Sequence, residues 1–168
     1  NNGFTALVAS PNYARDHMLI VSTQRHGIYR SQDAGLTWTR MNTANLDVSG
    51  VRDIMLSPGY GQVDRAMYAA TWVGIFASRD DGLSWTHVSE AAHATLDSWN
   101  VLAVSPAAGA ARPLFAGSDG VGVFKTTTAG ALWTPVNQGM NNVSIASLTL
   151  SPTFDKDKTM FAGTSQGG

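Results

Sequence analysis

Apolar runs recur along the chain at nearly constant spacing, and each is followed by the same succession of shorter runs and turns. The first run of each unit occupies residues 4–9, 51–56, 101–104 and 145–150. A second run, rich in β-branched and aromatic residues, occupies residues 18–23, 66–71, 114–118 and 159–164. A glycine-containing loop leads to a third run at 28–30, 75–77 and 123–125, and a fourth begins at Trp38, Trp85 and Trp133. Short runs of this composition, separated by turn residues, predict β-strands.

Two independent sequence markers keep the same period. A signature of the form Ser/Thr-x-Asp-x-Gly-x-Thr/Ser-Trp occurs at residues 31–38 and 78–85, and in altered form at 126–133. The tryptophans that end it are 47 and 48 residues apart, and Ser-Pro pairs beginning at residues 10, 57, 105 and 151 follow at intervals of 47, 48 and 46. A fixed period of this length is typical of a repeat architecture.

The repeat unit predicts an all-β fold, namely a β-propeller segment of four-stranded antiparallel blades. The first two runs of each unit are almost continuously apolar, as in strands covered on both faces. Four strands in about 47 residues match one propeller blade. We expect the single domain 1–168 to hold blades at about 4–50, 51–100 and 101–142 and a partial blade at 143–168, so about three and a half blades. A ring of six to eight blades needs roughly 280 to 380 residues, which predicts that these residues are one part of a longer polypeptide.

Each residue of the signature has a structural explanation. An aspartate at its third position accepts backbone N–H bonds in the manner of an Asx-turn, and a hydroxyl at the first position adds another local bond. Glycine at the fifth position supplies a positive φ, while the tryptophan covers the hairpin or the gap between blades. The residues so assigned are Ser31, Asp33, Gly35, Trp38, Ser78, Asp80, Gly82, Trp85, Thr126, Gly130 and Trp133.

This signature resembles the Asp-box, or BNR repeat, of sialidases, sortilin-type receptors, xyloglucan-cleaving glycosidases and photosystem II assembly factors. The resemblance implies a propeller whose Asp-boxes lie at the periphery, opposite the active site, so Asp33 and Asp80 are not expected to be catalytic. The third copy departs from the motif at Thr128 and Leu132, which predicts a less rigid hairpin. The resemblance also implies an extracytoplasmic location, whether periplasmic, surface-bound or secreted.

Composition argues against several classes of partner. Charged residues make up 14% of the chain, the net charge is −1 and the basic residues are scattered, so neither nucleic acid nor an anionic membrane is expected to bind. No apolar run is long enough for membrane insertion. There are no cysteines, and no two histidines have zinc-motif spacing, so we expect no metal and no cofactor.

Ligand binding is expected on the face that carries the loops between second and third strands and the connections between blades. Trp72 and Trp99 lie there, either as stacking platforms for a sugar or partner side chain or as packing within the channel or between blades. Arg25 and His26 either contact an anionic group or form a solvated loop tip. His93 falls between Glu90 and Asp97 in the longest connection. The candidate binding residues are Arg25, His26, Trp72, His93, Trp99 and Asp119.

Two classes of function remain open. The sialidase segment Phe/Tyr-Arg-Ile-Pro has its nearest match in Ala111-Arg112-Pro113-Leu114, which lacks the aromatic residue and the isoleucine. The two aspartates of the xyloglucan-cleaving enzymes cannot be mapped either. We therefore expect a non-catalytic module that binds a protein partner or a glycan, or that serves as a subunit of a larger complex. The alternative is a part of a glycoside hydrolase whose catalytic residues lie outside this stretch.

Overall fold

The computed structural model describes residues 3–41, 46, 50–89, 98–106 and 112–165. Within them the chain forms three four-stranded antiparallel sheets and one two-stranded sheet, each with its strands in sequence order. The strands are β1 Phe4–Ala9, β2 Leu19–Thr23, β3 Gly27–Ser31, β4 Thr39–Arg40, β5 Val51–Leu56, β6 Met67–Thr71, β7 Gly74–Ser78, β8 Thr86–His87, β9 Trp99–Val104, β10 Leu114–Ser118, β11 Gly122–Thr126, β12 Thr134–Pro135, β13 Ile145–Leu150 and β14 Met160–Thr164. We call β1–β4, β5–β8 and β9–β12 the first, second and third blades, and β13–β14 the fourth. The predicted all-β propeller fold is confirmed.

Consecutive blades pack face to face through apolar side chains. Each blade has a leading face, turned toward the preceding blade, and a trailing face, turned toward the next. Ile54, Phe76 and Trp85 on the leading face of the second blade lie in one cluster with Ile20 and Ile28 of the first. Burying one isoleucine side chain contributes on the order of 1.5 to 3 kcal/mol, so these contacts are what holds the blades together.

The same arrangement repeats at the junction between the second and third blades. Leu102, Phe124 and Trp133 of the third blade pack with Tyr68 and Ile75 of the second. Because successive side chains of a strand point to opposite faces, a shift of one residue would move a side chain from one junction to the other, and β6, β7 and β10 are buried on both faces.

Gly117 permits a close approach between the third and fourth blades. A Cβ atom at this position would lie 2.5 Å from Ile145 Cγ2 and 2.8 Å from Val101 Cγ1. Gly117 is in the middle of β10, where glycine has no turn to make. Its role is therefore to leave space for the Ile145 side chain.

The serine of the Ser-Pro pair donates a hydrogen bond to an aspartate six or seven residues later and so closes a turn in the first and second blades. The Ser10 hydroxyl donates to Asp16 Oδ2 at 2.6 Å, and Asp16 Oδ1 accepts the Met18 backbone N–H at 2.9 Å. Ser57 and Asp64 make the same pair at 2.8 Å. In the first and fourth blades these turns contain one-turn helices, α1 Tyr13–Asp16 and α2 Phe154–Asp157, where the sequence had predicted a polar turn.

In the two complete copies of the signature, the aspartate organises the hairpin between the third and fourth strands. Asp33 Oδ1 accepts the Ser31 hydroxyl at 2.7 Å and the Thr37 N–H at 2.9 Å, and Oδ2 accepts the Thr37 hydroxyl at 2.5 Å. Asp80 makes the same bonds with Ser78 and Ser84. These bonds, led by the hydroxyl of Thr37 or Ser84, lower the pKa of each carboxyl from 3.8 to about 2.

The third copy keeps the backbone of the hairpin with fewer bonds. The Thr128 hydroxyl takes the place of the carboxylate and accepts the Leu132 N–H at 2.9 Å, but Leu132 has no hydroxyl to donate in return. Ala129 and Gly130 both have positive φ, 54° and 100°, as do the corresponding pairs in the other two copies. The positive φ predicted at the signature glycine is therefore present in all three copies, and the residue before each glycine also has a positive φ.

Candidate functional site

Each innermost strand carries a bulge at the same place, near the loop face on which ligand binding was expected. The register between β1 and β2 shifts between Phe4 and Ala6, and the same shift occurs in the other three blades. A β-bulge bends its strand and redirects a side chain, and bulges are common beside active sites. The extra residues are Thr5, Arg52, Asn100 and Ala146. Thr5, Arg52 and Asn100 are polar and Ala146 is not, so the position has no constant residue type that the repeat pattern could mark.

Arg52 joins the second blade to the third and holds Trp72 in place. Its guanidinium carbon lies 3.8 Å above the Trp72 ring centroid. The same guanidinium donates to the Ser98 hydroxyl at 2.9 Å and to Asn100 Oδ1. The edge of the Trp72 ring also lies so close to Gly50 that a Cβ there would be 2.7 Å from Cδ1. Trp72 is therefore fixed between Arg52 and Gly50, and 40% of its surface remains exposed.

Polar bonds from the bulged residues run from blade to blade. The Thr5 hydroxyl donates to the Val51 carbonyl at 2.8 Å, and Asn100 Nδ2 donates to the Ile145 carbonyl at 3.0 Å. With the bond from Arg52 to Asn100, these contacts connect all four blades. The bulges consequently position side chains that a regular strand would not bring together.

Asp119 extends this network at the exposed end of β10. Its carboxylate accepts the Ser144 hydroxyl at 2.7 Å, and its backbone N–H donates to the Ser98 carbonyl at 3.1 Å. Ser98 thereby contacts both Arg52 and Asp119. We call this set the loop-face cluster: Arg52, Trp72, Ser98, Asn100, Asp119 and Ser144.

Asp53 follows Arg52 in the chain and lies beside the loop-face cluster, but both of its carboxylate oxygens accept hydrogen bonds from backbone N–H groups. Its Oδ1 accepts the Ile54 N–H at 2.9 Å and its Oδ2 accepts the Leu102 N–H at 2.8 Å, so the carboxylate fastens the second blade to the third. Burial raises the pKa of Asp53, and these two hydrogen bonds oppose that shift. A raised pKa suits a general acid, but with both oxygens bound to amides the geometry assigns Asp53 to structure.

The predicted binding residues lie in different surroundings in the structure. Trp72 and Asp119 belong to the loop-face cluster, and Arg25 and His26 are exposed in the loop between β2 and β3. The stacking-platform hypothesis is wrong for Trp99, which is 1% exposed and packs against Phe124 and Trp133. Its ring centroid lies 5.4 Å and 5.8 Å from the ring centroids of these two residues of its own blade. Because Trp99 also belongs to one buried cluster with Tyr68 and Ile75 of the second blade, it packs between blades, as the alternative proposed. His93 lies outside the described residues, as do Glu90 and Asp97.

The described ranges also bear on metal binding and on membrane insertion. No three histidine or acidic side chains among them converge on a common point where a metal ion would fit. None of the helices in that part of the chain has the length and apolar character needed to cross a bilayer.

Solved structures of GH74 enzymes share this fold. An ancestral GH74 enzyme matches with a TM-score of 0.76 at 19% identity, over 99% of this chain and 22% of that one. The GH74 enzyme of Niastella koreensis matches with a TM-score of 0.75 at 20% identity, over 100% and 27%. The GH74 xyloglucanase of Xanthomonas campestris gives 0.66 at 17% identity, over 99% and 28%. No family model and no curated protein matches the sequence.

At these identities the similarity shows the fold. Together with the strand order, it identifies the sheets as blades of a β-propeller. The chain spans about a quarter of the length of these enzymes. Fold by itself does not fix function, so function must be argued from the loop-face cluster.

Proposed function

We propose that this chain is a propeller segment of the Asp-box type that binds a neutral glycan on its loop face, outside the cytoplasm. The observation that carries the proposal is Trp72, held by Arg52 with two-fifths of its surface exposed. A fixed, exposed indole is suited to stacking on a sugar ring, since little side-chain entropy is lost on binding.

The charges of the cluster favour a neutral ligand. The Arg52 guanidinium contacts Trp72, Ser98 and Asn100, and Asp119 is the acidic member of the cluster. The Asp119 carboxylate would repel the negative charges of a carboxylated or sulfated polysaccharide. It can instead accept hydrogen bonds from the hydroxyls of a neutral glycan. One of the similar structures is a xyloglucanase, which makes a neutral β-glucan the first ligand to test.

Binding, without catalysis, is the role we assign to these blades. Asp53 is bound to backbone amides on both oxygens, and the exposed Asp119 lies in a hydrogen bond with Ser144. The similarity to GH74 enzymes supports a second candidate, in which these blades are part of a glycoside hydrolase whose catalytic groups lie elsewhere in the polypeptide.

Affinity electrophoresis of residues 1–168 in gels that contain xyloglucan, hydroxyethylcellulose or polygalacturonate tests the proposal. We expect retardation by the two neutral glucans and none by the anionic polymer. Trp72→Ala should weaken binding by roughly tenfold or more, as for an aromatic residue central to an interface, and Trp72→Phe should retain most of it. Trp38→Ala is the matched control, because Trp38 is equally exposed at 39% but lies on the signature turn.

Three results would contradict the proposal. Equal mobility of the Trp72→Ala and Trp38→Ala variants in the glucan-containing gels would show that Trp72 is not part of the binding surface. Release of reducing ends from xyloglucan by residues 1–168 alone would contradict the non-catalytic role. If neither glucan retards the protein and a partner protein binds through this face, the ligand is a protein and not a glycan.

A further inference from the structure

The chain contains two Asp-Gly pairs, and their surroundings in the structure differ. Asp81-Gly82 lies in the second signature turn, and Asp119-Gly120 lies in the turn between β10 and β11. In such a pair the glycine backbone nitrogen can attack the aspartate side chain, because glycine has no side chain of its own to hinder the approach. In a folded protein the rate depends on whether the nitrogen and the carboxyl group are free to meet.

In the signature turn both reacting groups are held by hydrogen bonds. The Gly82 N–H donates to the Ser78 hydroxyl at 2.9 Å, and Gly82 is buried. The Asp81 carboxylate accepts the Tyr60 hydroxyl at 2.7 Å on Oδ1 and pairs with Arg65 through Oδ2. Attack on the Asp81 side chain therefore requires these bonds to break first, which raises the barrier.

In the turn between β10 and β11 the same two groups are much less restrained. Asp119 and Gly120 are both exposed, and the Gly120 N–H has no hydrogen-bond partner in the part of the chain that the structure describes. Gly120 has a φ of +91°, and a Cβ there would have no contact within 4 Å outside its chain neighbours. The Asp119 carboxylate accepts the Ser144 hydroxyl at 2.7 Å on Oδ1, and this bond is exposed to solvent.

We propose that Asp119-Gly120 is a site of spontaneous aspartate isomerisation, which alters the loop-face cluster as the protein ages. The Gly120 nitrogen forms a bond to Asp119 Cγ while a Cγ–O bond of the protonated carboxyl group breaks. The hydroxyl leaves with the amide proton as water. The cyclic imide that results then adds water, and opening at the bond to the α-carbonyl gives isoaspartate. No oxidant or reductant takes part, and the product has the composition of the starting protein.

Isomerisation changes both contacts that Asp119 makes in the cluster. The side-chain carboxyl that accepted the Ser144 hydroxyl becomes a main-chain carbonyl, and the new carboxylate is attached to Cα. The backbone is longer by one carbon directly after the N–H that donates to the Ser98 carbonyl at 3.1 Å. Ser98 also accepts a bond from Arg52, the residue that holds Trp72. The effect on ligands rests on the proposed function: isoaspartate at residue 119 should weaken glycan binding.

Peptide mapping of residues 1–168 aged in mildly acidic buffer tests the proposal. Trypsin and a protease that cuts after glutamate separate the two pairs, because Glu90 lies between them and the peptides are 80–90 and 91–125. Isoaspartate is quantified with an isoaspartyl methyltransferase and assigned to a residue by electron-transfer fragmentation. We expect isomerisation to be at least about tenfold faster at Asp119 than at Asp81, where bonds must break first. In urea the two rates should converge.

Two matched asparagine variants separate the effect of the fold from that of the local sequence. Asp119→Asn and Asp81→Asn both place an amide before glycine, and the same imide then forms with loss of ammonia. In the folded protein, Asp119→Asn should lose its side-chain amide at least about tenfold faster than Asp81→Asn. Circular dichroism before ageing establishes that each variant is folded.

Affinity electrophoresis of the aged protein in xyloglucan gels measures the effect on binding. Retarded and unretarded fractions are excised and mapped, and isoaspartate at residue 119 should be enriched in the unretarded fraction. Fresh protein that xyloglucan does not retard would contradict the proposed function, while the mapping would still test isomerisation. Fresh protein that is retarded, with no isoaspartate at residue 119 after ageing, would refute isomerisation and leave the proposed function intact.

Three outcomes would overturn the proposal. The first is isomerisation at Asp81 that is as fast as at Asp119 in the folded protein. The second is a folded Asp119→Asn variant that keeps its amide for as long as Asp81→Asn does. The third is an equal content of isoaspartate at residue 119 in the retarded and unretarded fractions, which would show that the modification leaves the loop-face cluster unaffected.

Discussion

Replacing tryptophan by phenylalanine at two equivalent positions separates the hydrogen bond of a signature tryptophan from its packing. Trp85 and Trp133 end successive signatures and are both nearly buried, at 9% and 5% exposure. Trp133 Nε1 donates to the Val88 carbonyl of the preceding blade at 2.9 Å. Trp85 Nε1 is buried and has no hydrogen-bond partner among the described residues. The same substitution thus removes the same volume at both sites but a blade-to-blade hydrogen bond at only one.

The expected difference follows from the cost of leaving a part-buried acceptor, the Val88 carbonyl, without its donor. Loss of packing should be similar in Trp85→Phe and Trp133→Phe, and it largely cancels in the comparison. Leaving the part-buried Val88 carbonyl unpaired costs about 1 kcal/mol, and removing the unpaired N–H of Trp85 relieves up to about as much. Trp133→Phe should therefore lower the free energy of unfolding by about 1 to 2 kcal/mol more than Trp85→Phe.

Urea unfolding followed by far-ultraviolet circular dichroism measures this difference. With a slope of about 2 kcal/mol per molar urea, the midpoints of the two variants should differ by about 0.5 to 1 M. Repeat proteins can unfold in stages, so hydrogen exchange of Gly122–Thr126 should show the same order. Equal midpoints, or a larger loss in Trp85→Phe, would refute the idea that the Val88 carbonyl depends on the indole.

The remaining predictions concern the hairpins, the blade spacing and acid stability. Thr128→Asp combined with Leu132→Thr should restore the missing carboxylate bonds, so a double-mutant cycle in thermal unfolding should show a favourable coupling that neither single change gives. Gly117→Ala should cost about 1 to 3 kcal/mol because its Cβ would meet Ile145, whereas Gly3→Ala, with open space around it, should leave the urea midpoint unchanged. The carboxyl of Asp33 has its pKa lowered from 3.8 to about 2, so the folded state binds protons less readily than the unfolded chain. The stability that Asp33 contributes is thus present above pH 4 and lost as the pH falls toward 2. In Asp33→Asn the decline of the melting temperature over that range should be smaller, and an unchanged decline would contradict the assignment.

The periodic features of the fold were predictable from sequence because they depend on local chemistry. The aspartate at the third position of the signature has backbone and hydroxyl donors within four residues of it, so the Asp33 network follows from the octapeptide alone. The almost continuous apolar runs likewise indicate strands covered on both faces, as β6, β7 and β10 are.

Features that depend on contacts between residues distant in the sequence were not predictable in the same way. Trp99 stands at a blade connection, where an exposed residue was as reasonable as a buried one. Its burial depends on Phe124 and Trp133, which lie 25 and 34 positions away in the chain. The bulges were missed for another reason: a bulge adds one residue to a strand, and a two-residue period over six positions is too short to reveal it.

The repeats of this chain contain positions with a constant residue type and positions whose residue type varies, and a specific ligand contact can form at the variable ones. Positions that the blade requires keep their residue type, as Gly35, Gly82 and Gly130 do with their positive φ. The register shift falls at the same position in all four blades, but the extra residue is threonine, arginine, asparagine and alanine in turn. A site whose geometry is fixed while its chemistry varies can acquire a specific contact at no cost to the fold. That is why the cluster around Arg52, and not the signature aspartates with their repeated hydrogen bonds, is where ligand recognition should be sought.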